Sequence, residues 1–142
     1  MMLKTIITAA ENFCIHQIRI KHKTSDKIIK TRTLIAYIDI ETLDSKIHRV
    51  YIGAQESFAQ RVSKLFLEED ESDEETLIDM MLETTNLIVG SAKVLAEEEN
   101  KNTFVIKTPN FEKIGSFDFK YDQAKAVIIE DDEMIIAIKE LD

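Results

Sequence analysis

The stretch most informative about the fold class is residues 33–53, TLIAYIDIETLDSKIHRVYIG. Apolar side chains alternate with other residues along its first part, which is the period-two pattern of a strand with one buried face. The residues on the apolar side are Leu34, Ala36, Ile38 and Ile40. Asp44 and Ser45 are turn residues, and a second alternating run follows over residues 46–53. The stretch therefore predicts an antiparallel β-hairpin.

On both sides of this hairpin, helical and strand patterns occur in separate blocks. Apolar residues recur at helical spacing over residues 3–13, 55–67 and about 74–96. Short strand-like runs occupy residues 104–106, 117–121, 126–129 and 134–138, and Ile18 and Ile20 form one possible further strand. Clustered strands with brief connections predict an α+β fold, with a mainly antiparallel sheet and long helices packed on one face. We expect residues 1–142 to form a single domain.

Composition excludes several classes of protein. The chain has 142 residues, of which 44% are hydrophobic, and its net charge is −9, so a disordered chain or a non-specific nucleic-acid binder is not expected. No apolar run approaches the roughly 20 residues of a membrane span, and the N-terminus lacks a secretory signal. Cys14 is the only cysteine, which points to a reducing cytoplasm and to a buried small hydrophobe.

The charge is concentrated in the second half of the chain. Residues 1–67 hold 11 basic and 6 acidic residues, whereas residues 68–142 hold 7 basic and 21 acidic residues. The boundary is the run EEDESDEE at residues 68–75, which predicts a solvated connection between two helices. It lacks the ligand spacing and central glycine of a calcium loop. Because His16, His22 and His48 are also isolated in sequence, we expect no metal site.

The segment that suggests a function is DMMLETTNLIVGSAK, residues 79–93. On a helix that turns about 100° per residue, Asp79, Glu83, Asn86, Gly90 and Lys93 fall within about 40° of one line. We call these five residues the polar stripe. The side expected to pack on the sheet carries Met81, Thr85, Ile88, Ala92 and Leu95.

Two interpretations of the polar stripe remain open at this point. Asparagine and glycine are weak helix formers, and glycine costs about 1 kcal/mol relative to alanine in a helix interior. In one interpretation the acidic residues only solubilise a surface helix, Asn86 is incidental, and Gly90 makes room for a neighbouring helix. In the other, the polar stripe faces a partner that approaches the helix backbone closely.

The spacing Asp79-x3-Glu83-x2-Asn86-x22-Pro109 resembles the signature of the CheC/CheX/FliY family of chemotaxis phosphatases. Gly90 and Ala92 also match the small residues that usually follow the asparagine in that family, whereas Ser91 stands where the family often has asparagine. The similarity covers residues 79–109 and contains one copy of the signature, as in the CheX branch.

This resemblance implies a CheC-like fold and a function. The substrate would be the aspartyl phosphate of a CheY-type response regulator, whose own site supplies Mg²⁺, so no cofactor of this chain is expected. Asn86 would orient the attacking water, and Glu83 would pair with a lysine of the regulator. Asp79, Leu87 and Gly90 would contact the partner, and Pro109 would shape a loop.

Two further expectations accompany this resemblance. A single copy of the signature suggests a homodimer that carries two sites. The alternative function is a non-catalytic interaction domain, of the flagellar-switch or adaptor type, that docks a response regulator through the same helix. An intact Asn86 favours the enzyme, because a pure adaptor does not need the amide.

Overall fold

A computed structural model describes residues 2–28, 31–99 and 103–141. Within these ranges, three α-helices and seven strands follow one another in blocks, as the hydrophobic patterns indicate. The elements are α1 (Met2–Phe13), β1 (His22–Ser25), β2 (Arg32–Thr42), β3 (Ile47–Gln55), α2 (Glu56–Leu67), α3 (Glu74–Glu98), β4 (Phe104–Ile106), β5 (Asn110–Ser116), β6 (Gln123–Ile129) and β7 (Asp132–Leu141).

The strands form one sheet in the order β1-β6-β7-β3-β2-β4, and β5 also pairs with β2. All of the pairings are antiparallel. The predicted hairpin is β2 and β3, with Tyr37 opposite Tyr51, and it lies inside the sheet. β5 covers the outer edge of β2 from Arg32 to Tyr37, and β4 covers the same edge from Ile40 to Thr42.

Alternation along the strands divides the core into two clusters. Leu34 and Ile38 of β2 and Ile52 of β3 belong to the larger cluster, which also contains the buried side chains of all three helices. Ile35 and Tyr51 belong to a smaller cluster on the opposite face, to which no helix contributes. The predicted α+β class, with helices on one face of an antiparallel sheet, is therefore confirmed.

The segment from Phe117 to Tyr121 does not form the strand predicted from its alternation. It is irregular and lies over the helix-free face, where the rings of Tyr51 and Phe119 stack at 4.7 Å. Phe117 is buried, whereas Tyr121 is 40% exposed. The alternation thus arises because alternate side chains of this segment pack onto the sheet, although its backbone does not pair with a strand. The strand in this region is β5, whose pairing with β2 skips Glu112 in a bulge.

The suggestion of a strand at Ile18 and Ile20 is also wrong. Helix α1 continues as a π-helical turn over Cys14–Ile18, which we call the π turn. It ends at Arg19, whose backbone is left-handed with φ 63°, and the Arg19 N–H donates to the Cys14 carbonyl at 2.7 Å. Cys14 is fully buried, as expected. The strand that follows is β1, beginning at His22.

Gly53 on β3 has no room for a side chain. A Cβ there would lie 3.0 Å from the Phe117 ring and 3.3 Å from the Thr33 hydroxyl oxygen. Both neighbours are fixed: Phe117 is 1% exposed, and the Thr33 hydroxyl donates to the Gly115 carbonyl at 3.1 Å. The glycine is therefore needed for the aromatic segment to pack against the sheet.

We expect Gly53→Ala to lower the free energy of unfolding by about 1–2 kcal/mol. Overpacking costs about 1–3 kcal/mol, and the reduced entropy of the unfolded alanine chain offsets about 0.4–1 kcal/mol of it. Denaturant unfolding measures the change. The double variant Gly53→Ala with Phe117→Leu should lose less stability than the sum of the losses in the two single variants, because the smaller side chain at residue 117 relieves the clash. Strict additivity would contradict this explanation.

Candidate functional site

The candidate site lies on α3, and the start of this helix is held by specific contacts. Asp73 is the N-cap, and its carboxylate accepts a hydrogen bond from the Thr76 N–H at 2.9 Å. Hydrogen bonding from the Thr76 side chain, and then from its backbone N–H, holds the pKa of Asp73 below its usual value. Glu74 and Glu75 in the first turn complement the helix dipole. These contacts fix the residue at which α3 begins.

The acidic connection before α3 is tied to α2. The Gln60 amide donates to the Ser72 carbonyl at 2.8 Å, and the Ser72 N–H donates back to the Gln60 side-chain oxygen at 2.9 Å. The Ser72 hydroxyl also bonds to the buried hydroxyl of Ser63. The acidic run thus connects two helices, as predicted; residues 68–73 form the connection, Glu74 and Glu75 belong to the first turn of α3, and Ser72 is buried.

The buried face of α3 packs on the sheet and on the other helices. Its buried residues are Leu77, Met80, Met81, Thr84, Thr85, Ile88, Val89, Ala92 and Ala96. Thr85 is buried in this face, and its hydroxyl is paired because Oγ1 donates to the Met81 carbonyl at 2.7 Å. Four of the five residues expected on the packed side are buried and Leu95 is half-buried, so the predicted orientation of the helix is confirmed.

The polar stripe therefore faces outwards. Asp79, Glu83 and Asn86 are exposed, and Gly90 and Lys93 are half-exposed. From Asp79 to Lys93 the polar stripe extends about 21 Å along the helix, and Glu83 and Asn86 are separated by about 4.5 Å of axial rise. The structure thus brings Glu83 and Asn86 together on one accessible surface.

The side chains of Glu83 and Asn86 have no internal partners in the part of the chain that the structure describes. No hydrogen bond or ion pair there involves the Glu83 carboxylate or the Asn86 amide. Two acidic residues at the start of the same helix differ in this respect: Asp73 is the N-cap, and a carboxylate oxygen of Glu74 lies 3.6 Å from a guanidinium nitrogen of Arg32. Because α3 is rigid, this carboxylate and this amide are presented in a fixed relation and remain available to another molecule.

Gly90 faces open space. A Cβ built at this position would meet nothing within 4 Å. The interpretation that Gly90 clears room for a neighbouring helix is therefore wrong for the residues that the structure describes. No packing within the fold requires a glycine here, although glycine weakens the helix. The helix surface at Gly90 is therefore open.

A groove runs along the edge of the polar stripe that Leu87 occupies. It has a volume of about 320 Å³ and lies between α1 with its π turn and α3, and Phe66 of α2 contributes to its wall. We call this cavity the groove; it is lined by Ala9, Asn12, Phe13, His16, Gln17, Phe66, Leu87, Ile88 and Ser91. Leu87 and Phe66 are 41% and 39% exposed, so the groove has an accessible apolar wall.

Sequence reasoning missed the contribution of α2 to this groove. Leu65, Phe66 and Leu67 are three consecutive apolar residues at the end of α2, and all three are exposed. A helix cannot turn three successive residues towards one core, because each is rotated by about 100° from the last. That run was the available signal of an apolar surface.

Other residues singled out from the sequence, two histidines, the cysteine and the proline, lie outside the polar stripe. His22 Nε2 lies 2.9 Å from a Glu11 carboxylate oxygen, and His16 lines the groove. Burial, with a further effect of Glu11, raises the pKa of the Cys14 thiol to about 11, so the thiol stays protonated near neutral pH. Pro109 is half-buried in the connection between β4 and β5. Across the described ranges, no three His, Cys, Asp or Glu side chains are grouped to hold a metal.

The comparison with protein families identifies the family. A model described as chemotaxis phosphatase CheX matches residues 40–131, a range that includes all of α3. The chain belongs to the CheX family. This confirms the resemblance noted from Asp79, Glu83, Asn86 and Pro109, all of which lie in the matched range. No curated protein matches the chain.

Solved structures show that the fold is shared with CheX proteins and their relatives. CheX from Vibrio vulnificus is 17% identical, with a TM-score of 0.79 and 99% of both chains covered. CheX in a CheX–CheY–BeF3–Mg²⁺ complex from Borrelia burgdorferi is 20% identical, with a TM-score of 0.70 and 98% of both chains covered. FliY from Thermotoga maritima is 15% identical, with a TM-score of 0.60 over 95% of this chain and 83% of that one.

The helices show no membrane-crossing segment. Among the described residues, none of them is both long and apolar enough to pass through a bilayer.

We expect Gly90→Ala to raise the free energy of unfolding by about 0.5–1 kcal/mol, because alanine is the better helix former and the new methyl group has no neighbour to displace. Denaturant unfolding measures the change. Gly53→Ala is the matched comparison and should shift stability in the opposite direction. A destabilised Gly90→Ala variant would show that the fold itself needs this glycine.

Proposed function

We propose that this CheX family member hydrolyses the aspartyl phosphate of a CheY-type response regulator and so ends a chemotaxis or two-component signal. The observation that carries the proposal is the exposed pair Glu83 and Asn86, which have no internal partners in the described structure and lie one turn apart on α3. The family description and the Borrelia burgdorferi complex support a CheY-type partner.

In this proposal the amide of Asn86 positions water. Hydrolysis requires a water molecule in line with the bond between phosphorus and the aspartyl oxygen. An amide can accept one hydrogen bond from that water and donate another, so it holds the water in place without acting as a strong base. The water oxygen bonds to phosphorus as the phosphorus–oxygen bond to the aspartate breaks, the aspartyl carboxylate is regenerated, and both protons of the water leave with inorganic phosphate as H2PO4−. The exposed position of Asn86 allows it to enter the regulator's site.

Glu83 has a different task in this mechanism. Its carboxylate would pair with a lysine in the active site of the regulator and keep the two proteins in register. Asp79 lies one turn earlier on the polar stripe and would contribute to docking. Gly90 leaves the helix backbone open one turn after Asn86, so a partner can approach closely. Mg²⁺ held by the regulator would neutralise phosphoryl charge, and this chain would supply no metal ligand.

We expect Asn86→Ala to reduce the stimulated rate of regulator dephosphorylation by about 100-fold, because the water loses its orientation. Affinity for the regulator should change by less than about twofold, since the amide adds little to binding by comparison with Glu83. The decay of phosphorylated regulator under single-turnover conditions gives the rate.

Asn86→Gln is the matched variant, because it keeps the amide but displaces it by one methylene group. It should also be strongly impaired. Full activity of Asn86→Ala would overturn the proposed mechanism. Binding without any acceleration by the wild-type protein would instead favour the non-catalytic docking domain.

For Glu83→Ala we expect the dissociation constant for the phosphorylated regulator to rise at least about tenfold, because a regulator lysine loses its partner. The midpoint of thermal unfolding should stay unchanged, since Glu83 makes no described contact within the fold. Titration calorimetry with regulator loaded with beryllofluoride and Mg²⁺ measures the affinity.

Glu98→Ala is the matched control, because Glu98 is an exposed glutamate near the end of the same helix. It should bind like the wild type. Normal binding by Glu83→Ala would remove the docking role from this carboxylate.

The homodimer expected from the single copy of the signature stays a prediction.

A further inference from the structure

We propose that the groove receives an apolar side chain of the response regulator and so acts as a second anchor beside the phosphorylated aspartate. The inference rests on the proposed function and adds a docking contact to it. Leu87 follows Asn86 directly in α3 and forms part of the groove wall. Leu87 is rotated by about 100° from Asn86 around the helix, so a protein that covers Asn86 and extends past this edge of the polar stripe reaches the mouth of the groove.

The area needed for a stable complex supports this placement. A specific complex of standard size buries about 800 Å² on each partner. The polar stripe, about 21 Å long and roughly 10 Å wide, offers only about 200 Å². The partner must therefore cover neighbouring surface. On the opposite edge of the polar stripe Leu82 is half-buried and Val89 is buried, so accessible apolar side chains lie on the edge that carries Leu87.

The composition of the groove fits one apolar anchor. Phe13, Phe66 and Leu87 provide apolar walls, and the rim is polar at His16 and Ser91. Interfaces gain most of their affinity where a large apolar side chain fills a pocket surrounded by a polar rim. A volume of about 320 Å³ is sufficient for a single large side chain rather than a helix.

The position of the groove also identifies the occupant. A second copy of this chain seated there would stand next to Asn86 and obstruct the amide that must reach the phosphoryl group. A segment of this chain bound there permanently would have the same effect. The regulator is the partner for which occupation of the groove and access to Asn86 occur together. The acidic residues Asp79 and Glu83 on the same surface favour a partner with basic groups, as expected for an active-site lysine.

Two variants test the groove in different ways. Leu87→Asp replaces an apolar wall residue, and Ser91→Trp fills the groove from an exposed position without removing any contact of the fold. Leu43→Asp and Ser57→Trp make the same chemical changes at exposed positions outside the groove, on the turn between β2 and β3 and in the first turn of α2.

The experiment uses the receiver domains encoded in the same organism. Each one is phosphorylated and screened for faster dephosphorylation by the wild-type protein, and the responsive domain is then loaded with beryllofluoride and Mg²⁺ for affinity measurements. We expect each groove variant to raise the dissociation constant about tenfold or more. The dephosphorylation rate at saturating protein should stay within about twofold of wild type, because Asn86 is intact. Both controls should bind normally.

The possible failures are distinguishable. Normal affinity in both groove variants, with the Asn86→Ala variant inactive, would overturn the groove and leave the proposed function standing. A shift from dimer to monomer in the groove variants, seen by sedimentation, would assign the groove to a second copy and overturn the proposal. If the wild type accelerates no receiver domain, the proposed function fails and the groove proposal fails with it.

Discussion

The packing of α3 against α1, α2 and β2 determines what this protein can present to a partner. Nine side chains of α3 are buried, and they occupy the arc of the helix that faces the sheet and the other helices. A rigid helix cannot expose one residue independently of the next, so burial of Ile88 and Ala92 leaves Asp79, Glu83 and Asn86 in solvent. Interiors pack at crystal-like density and resist rotation. The orientation of the site is therefore a property of the core.

The exposed arc of α3 contains residues that weaken a helix without improving its packing. Asn86 is a poor helix former, and Gly90 has neither a side chain nor a neighbour that would exclude one. Burial of the opposite face offsets this cost, since each fully buried aliphatic side chain contributes about 1.5–3 kcal/mol. Proteins violate local rules mainly where function requires it. Here the violations lie at and near the residues whose spacing resembles the signature of the CheX family.

Sequence patterns predicted those helices and strands whose side chains keep one regular pattern of burial along their whole length. Helix α3 and the hairpin of β2 and β3 are long and are buried on a consistent face, so their periods are clear. The edge strand β5 was missed because its bulge at Glu112 interrupts the alternation and because its pairing partner, β2, is distant in sequence. The segment 117–121 shows the converse, since alternate rings pack onto a sheet without joining it.

The candidate site likewise has one part that the sequence predicts and one part that it does not. The polar stripe follows from helical geometry alone, because all its members lie on one element. The groove could not be derived, since it forms only where α1, the π turn, α2 and α3 meet. The π turn ends at Arg19, whose backbone is left-handed. Glycine and asparagine are the residues that usually mark this conformation, and neither is present at this position.

Charge becomes informative only after the internal partners of each group are known. The chain has 27 acidic residues, and net charge alone does not distinguish among them. Several are used within the fold: Arg61 holds Glu130 at 3.1 Å and Asp132 at 2.7 Å, and Asp73 caps α3. Glu83 lies on the outward face of a rigid helix, one turn from an amide, with no described contact of its own. Because the Glu83 carboxylate has no internal partner among the described residues, pairing with a cation of another protein breaks no contact within the fold, and its cost is the rotamer freedom of one side chain. That availability, rather than the acidic character of the chain, is the reason why the proposed function assigns the docking contact to Glu83.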